Sequence, residues 1–227
     1  MRFLNEYSRF FREFRRDFHH TGALLPSGVF LAREIARGLR GPRPAARIVE
    51  VGPGSGAVTR VLVKHLQPGD TLDLVEINPH FAQLLEDRLR RDPEFLPKKD
   101  AVRVITAAVQ DVPGESVYDM IVSGLPLNNF SPDEIRSIFD TLTRLLKPGG
   151  LLTYFEYTFI RTLKMPFAGR KERQRLAMIG KMLDEYIRDC QVRRGHVLLN
   201  LPPATVRQLR LKPEGCEGKG EVVSCPG

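Results

Sequence analysis

The chain has 227 residues, 42% of them hydrophobic and 27% charged, enough for one α/β domain with a sizeable core and too few for two. No apolar run approaches the roughly 20 residues that a bilayer-spanning helix needs. Charged residues from Arg2 to Glu13 break up the first apolar stretch, which excludes a secretory signal peptide and gives the cytoplasm as the expected location. Lys plus Arg number 35 against 27 Asp plus Glu, a formal charge of +8 that favours an anionic partner, either nucleic acid or anionic lipid. The three cysteines, Cys190, Cys216 and Cys225, match no metal-ligand spacing and read as incidental thiols, and no metal site is expected.

Residues 1–20 read as an amphipathic helix. Phe3, Tyr7, Phe10, Phe14 and Phe18 recur at spacings of three and four and so share one stripe, flanked by Leu4 and Phe11. Arg2, Arg9, Arg12, Arg15 and Arg16 take much of the remaining surface. Thr21-Gly22 ends it, and Ser27 is the expected N-cap of a second helix that stops near Gly38. From Arg47 strands and helices alternate. The expected strands are 47–51, 71–76, 101–105, 118–122 and 150–157, the last entered through an LKPGG turn at 146–150. Helical periods lie between them at Val58–Leu66, Phe81–Leu89 and Ile135–Leu145. This alternation predicts a mostly parallel sheet with helices on both faces. The basic stretch 161–194 is expected to hold a loop and a helix near 171–189. Short strands at 195–199 and 205–210 would then form a hairpin across Pro202-Pro203. A Gly-rich polar tail, 213–227, is expected to be disordered.

The main signal is IVEVGPGSGAVTR at 48–60: an apolar strand, a turn through Gly52, Gly54 and Gly56, then a helix. Glycines suit a turn that a ligand approaches closely. Glu50 precedes the first glycine, where a pyrophosphate binder gains nothing from negative charge, but the ammonium and sulfonium of S-adenosyl-L-methionine do. Glu76 ends the next strand, where a carboxylate can accept hydrogen bonds from ribose hydroxyls.

Over about residues 1–210 these features resemble class I methyltransferases, whose Rossmann-like fold is a seven-stranded sheet with its last strand antiparallel. The resemblance implies S-adenosyl-L-methionine as cofactor, bound by Gly52, Gly54 and Gly56 with Glu50 nearby. It implies Glu76 at the ribose, Ile77 over the adenine, and Ser123 at the rim. Many relatives carry an acid after the third strand; here Ala108 or Val109 stands there, so the backbone of Val109, with Gln110 or Asp111, would serve.

SGLPLNNF at 123–130 follows the fourth strand. It is similar to the Asn-Leu-Pro-aromatic loop of ribosomal RNA adenine dimethyltransferases, with Gly124 for the Asn and Leu127 for the base-stacking aromatic. Loss of the aromatic argues against a flipped base as substrate. SGLPL more closely resembles bacterial phospholipid N-methyltransferases, as do FFREFRRDFHHTGALLPS and LLNLPPATV at 198–206. That resemblance implies an N-methyltransferase acting on an amino lipid, phosphatidylethanolamine to phosphatidylcholine, with ornithine lipid or an RNA adenine as alternatives. Ser123, Gly124, Leu125 and Pro126 would orient the acceptor amine, with Tyr7, Tyr154 and His196 as polar neighbours. Phe3, Tyr7, Phe10, Arg12, Phe14 and Arg15 would hold residues 1–20 on an anionic membrane surface, the inner face of the cytoplasmic membrane. The domain proper would span 21–212, and no nucleic-acid partner is expected.

Overall fold

The structure is a computed structural model that describes residues 26–125, 127, 130–157, 178–180, 183, 190–200 and 203–210. The expected N-terminal helix with its Phe stripe, Pro126, most of the basic stretch and the tail lie outside the described residues.

Seven strands form one sheet: β1 (Arg47–Val51), β2 (Thr71–Glu76), β3 (Val102–Thr106), β4 (Tyr118–Ser123), β5 (Leu146–Tyr157), β6 (Gln191–Val197) and β7 (Ala204–Arg210). Their order is β3-β2-β1-β4-β5-β7-β6, and β7 runs antiparallel to both neighbours while the β1, β2, β3, β4 and β5 pairings are parallel. This is the Rossmann-like methyltransferase architecture that the sequence implies. Among the described residues four helices pack on it: α1 (Pro26–Ile35), α2 (Thr59–His65), α3 (Pro79–Arg91) and α4 (Pro132–Leu145). Helical residues also occur at 178–180 and 183.

The sheet separates two apolar cores. Leu31, Ile35, Leu62, Leu85 and Leu89 from α1, α2 and α3 pack with Ile48, Leu72 and Leu74. Ile135, Ile138, Phe139 and Leu142 of α4 pack with Val49, Val51, Val75 and Ile121. β1 and β2 are buried on both faces beyond their first residues, and the charged residues they carry there, Glu50, Asp73 and Glu76, each have hydrogen-bond partners. Successive side chains alternate between faces. Glu50 therefore points with Ile48 toward α2, and Glu76 points with Leu72 and Leu74 to that same side.

Helix ends follow local chemistry. The Asn78 side chain caps α3 by accepting from His80 N–H at 2.9 Å, with Pro79 next. Ser131 and Glu134 form a reciprocal capping box on α4.

Several expectations shift. Ser27 lies within α1 rather than as a cap ahead of it, and a tighter 3-10 turn, Ala36–Leu39, carries the chain past Ile35. β3 begins one residue late because Leu96–Ala101 forms another 3-10 turn. The LKPGG segment belongs to β5 rather than preceding it. Leu146 pairs with Tyr118 and Leu151 with Met120, and the extra residues bulge out at Gly149, φ +74°. β6 starts at Gln191, four residues earlier than expected, because it pairs along β7 from Leu209 to Ala204. Leu198 and Leu199 are thereby left in the turn. Cys190 is disulfide-bonded, which corrects the free-thiol reading at that position.

Candidate active site

The strand order changes direction between β1 and β4: β2 and β3 lie on one side of β1, and β4, β5, β7 and β6 on the other. In open α/β sheets the crevice at such a switch, outside the carboxyl ends of the strands, takes the ligand. Here that crevice is built by the turn after β1, the turn after β4 and the segment after β3.

Gly52, Gly54 and Gly56 have φ of 70°, 55° and 81°, the left-handed region that favours glycine. The turn is pinned to both neighbouring strands, since Gly52 N–H donates to Val75 O at 2.9 Å and Gly124 N–H donates to Val51 O at 2.8 Å. Gly124 serves a second purpose. A Cβ there would stand 2.7 Å from Gly52 O, a backbone atom that cannot swing aside. The residue read as a departure from an Asn-bearing loop is thus the one that lets the β4 turn close on the glycine turn.

Two carboxylates back the turn, both 0% exposed. Glu76 is well satisfied: one oxygen accepts from Gly54 N–H at 2.9 Å and the other from Asn78 N–H at 2.8 Å. Burial raises its pKa, and these backbone donors oppose the shift. A carboxylate has about four lone-pair sites, so one is left beyond the backbone donors Gly54, Asn78 and Ile77 for a ligand hydroxyl. Glu50 differs. Thr59 Oγ1 donates to one of its oxygens at 2.7 Å, while the other is buried without a hydrogen-bond partner among the described residues. Burial pushes the Glu50 carboxyl up to about 8, with the negative charge of Glu76 adding to the rise. Around neutral pH it is therefore held mostly protonated, until a cation arrives to favour the ionised form.

A cleft opens beside the turn. Val51, Gly52, Ile77, Val109, Gln110, Leu125, Phe130 and Ile138 are among the residues that line it. Four separately predicted residues, Gly52, Ile77, Val109 and Leu125, thus meet in one place. Phe130 and Ile138 were not singled out by the sequence, and neither was Thr59. Asp111 is exposed and does not line the cleft.

Ser123 is buried, 1% exposed, and its Oγ accepts from Leu125 N–H at 3.4 Å. Leu127 is 2% exposed and packs into the α4 core. Tyr154 pairs with Ser123 in register and packs edge-on against Phe139, with ring centroids 5.4 Å apart. His196 does not join the site. It lies exposed on edge strand β6, its Nδ1 3.1 Å from Thr205 Oγ1, three strands from β4 and so about 14 Å away by strand spacing.

The donor set suits a ligand that is cationic at one end and carries a ribose and a flat apolar base: a buried carboxylate oxygen without a hydrogen-bond partner among the described residues, a second carboxylate beside the turn, and an apolar cleft that Ile77 and Val109 help to line. Residues 49–152 match the Methyltransf_12 family, a methyltransferase domain. The chain carries an S-adenosylmethionine-dependent methyltransferase domain. Glu50, the glycine turn and Glu76 are the residues that would hold that cofactor, and Ile77 and Val109 would lie along its base.

This methyltransferase is 29% identical over 165 residues to an ornithine lipid N-methyltransferase of Singulisphaera acidiphila, a match that covers 72% of the chain and 81% of that protein. It is 29% identical over 125 residues to a ubiquinone/menaquinone biosynthesis C-methyltransferase of Ectopseudomonas mendocina, covering 53% of the chain and 45% of that protein. Its fold matches the crystal structure of 1,6-didemethyltoxoflavin-N1-methyltransferase of Burkholderia thailandensis, solved with 1,6-didemethyltoxoflavin and S-adenosylhomocysteine. The TM-score is 0.57 at 17% identity, covering 92% of this chain and 90% of that one.

Proposed function

We propose that the protein methylates the amine of a membrane lipid headgroup. The observation that carries this reading is the reach of the similarity to the ornithine lipid enzyme: 165 residues, well beyond the matched domain at 49–152. The likeness to the quinone enzyme takes in less of either protein. Of the two amino lipids, the relative favours ornithine lipid, while the SGLPL and LLNLPPATV segments favour phosphatidylethanolamine. Both present a primary amine, and the chemistry is the same.

The cofactor supplies an electrophilic methyl on a positively charged sulfur. In the transfer an N–C bond forms as the S–C bond breaks, and the amine loses a proton. Among the described residues no carboxylate or imidazole lines the cleft, so the chain's contribution is to bind, orient and desolvate. Leu125, Phe130 and Ile138 exclude water beside the cofactor turn. The Gly124–Leu125 segment offers carbonyl oxygens to an approaching amine N–H. The proton passes to water, the amine entering in its neutral form. Leu127 is spent on the core, and its side chain offers no stacking platform to a nucleobase.

Residues 1–20 complete this reading as a reversible anchor on an anionic surface, each Lys or Arg there contributing on the order of 1 kcal/mol. The test incubates the full chain with methyl-labelled S-adenosylmethionine and, separately, vesicles holding phosphatidylethanolamine, vesicles holding ornithine lipid, and ribosomal RNA. Label in either lipid and none in RNA is the expected result. Label in RNA alone overturns it.

A further inference from the structure

The apolar residues most exposed in the described chain are two neighbours, Leu198 at 74% and Leu199 at 70%. They are held outward by the turn itself. Val197 before them and Asn200 after them are buried, 7% and 6% exposed, and Asn200 N–H donates to Val197 O at 3.4 Å, closing the turn beneath the leucines.

Strand register places that turn relative to the active site. Ser123 pairs with Tyr154, Tyr154 with Arg207 and Arg207 with Arg194, whereas Val197 pairs with Ala204 and Ala204 with Tyr157. Val197 thus stands three residues further along than Ser123, and Leu198 and Leu199 project roughly 10 Å or more past the level of Ser123. They rise on the rim onto which the cofactor cleft opens.

α1 brings its own apolar residues to this rim. Glu34 packs on Gly195, and Gly38 beyond the helix lies on Leu151 and Gln208, so the chain descends from the rim and its first turns remain above. There Val29 and Phe30 are 36% and 41% exposed. The flanking charge is positive. Arg33 and Arg194 are exposed, while the nearby carboxylates are already paired, Glu34 with Arg193 and Arg37 and Glu156 with Arg207.

We propose that the β6–β7 turn is a membrane wedge: Leu198 and Leu199, with Phe30 beside them, enter an anionic bilayer while Arg33 and Arg194 meet its headgroups, presenting the cofactor cleft to the lipid surface. Exposed leucines ringed by cations suit a lipid surface, which takes both, and a bare apolar protein face would leave the cations unmatched. The proposal rests on the lipid-substrate reading and adds a second attachment, independent of residues 1–20.

The chain has no tryptophan, so Leu198→Trp creates a single indole fluorophore at the tip. The full-length variant is mixed with vesicles of phosphatidylcholine containing phosphatidylglycerol, neither of which has a primary amine to methylate. Emission should move to the blue on these vesicles and stay put with phosphatidylcholine alone. Leu198→Asp combined with Leu199→Asp should weaken vesicle binding roughly tenfold or more and leave S-adenosylmethionine affinity unchanged. An indole emission that ignores the vesicles while label still reaches an amino lipid sinks the wedge and spares the proposed function. A blue shift that follows protein concentration without lipid assigns the turn to a second copy of the chain and also overturns the wedge. Label in RNA alone, with no vesicle binding, removes both readings together.

Discussion

Where β1 and β2 end, two carboxylates are 0% exposed, whereas after β6 two leucines stand 74% and 70% exposed. Both places lie on the same rim of the same sheet, and each reverses the usual preference of its residue type. The carboxylates are tolerable because backbone N–H groups and Thr59 reach them and because burial keeps Glu50 mostly protonated near neutrality. Nothing comparable covers the leucines among the described residues. Buried charge and exposed apolar surface are both costly unless something arrives to match them. The first calls for a cation and the second for an apolar phase.

The comparison breaks most visibly at Glu76. Glu76→Ala strands Gly54 N–H and Asn78 N–H and removes the acceptor beside the turn, so S-adenosylmethionine affinity should fall about a hundredfold. Isothermal titration calorimetry reads this directly, and an unchanged dissociation constant would take Glu76 out of the site. Gly124→Ala comes next. Its new methyl meets Gly52 O and must push the two turns apart, with an expected loss of about tenfold in cofactor affinity and a milder loss of stability.

Glu50 sharpens the comparison through pH. Its folded-state pKa, about 8, lies above the ordinary 4.5, so its contribution to stability is complete below 4.5 and disappears as pH rises through 8. A cation bound nearby reverses the preference, so cofactor affinity should rise several-fold over that same interval, with proton release on binding. Glu50→Gln should flatten both trends relative to the parent, as followed by melting temperature and by calorimetry in buffers of different ionisation enthalpy. A parent affinity that is level from pH 6 to pH 9 would contradict this account. Smallest of all, Ser131→Ala removes the cap of α4, far from either charge, and should cost about 1 kcal/mol of stability with the cofactor constant unmoved.

The boundaries of β1 and β2 are legible because their aliphatic residues, Ile48, Val49 and Val51 and then Leu72, Leu74 and Val75, stop at turn residues on either side. Gly52, Gly54 and Gly56 are legible because left-handed backbone admits few other residues. β6 hides its limits for the opposite reason. As an edge strand with Arg193, Arg194 and His196 among its seven residues it carries no apolar run of its own, and its ends come from pairing with β7. Leu198 and Leu199 read as strand interior for that reason. Thr59 reads as an ordinary first residue of a helix, and Phe130 and Ile138 as ordinary core.

The alternation of strands and helices, the glycine turn and the two acids behind it follow from the sequence by itself, since periodicity and backbone sterics act over a few residues. Which oxygen of Glu50 lacks a partner, why position 124 excludes a side chain, and which leucines face outward were decided by the tertiary structure alone. Each depends on atoms brought together from segments dozens of residues apart, and local pattern holds no record of such distances.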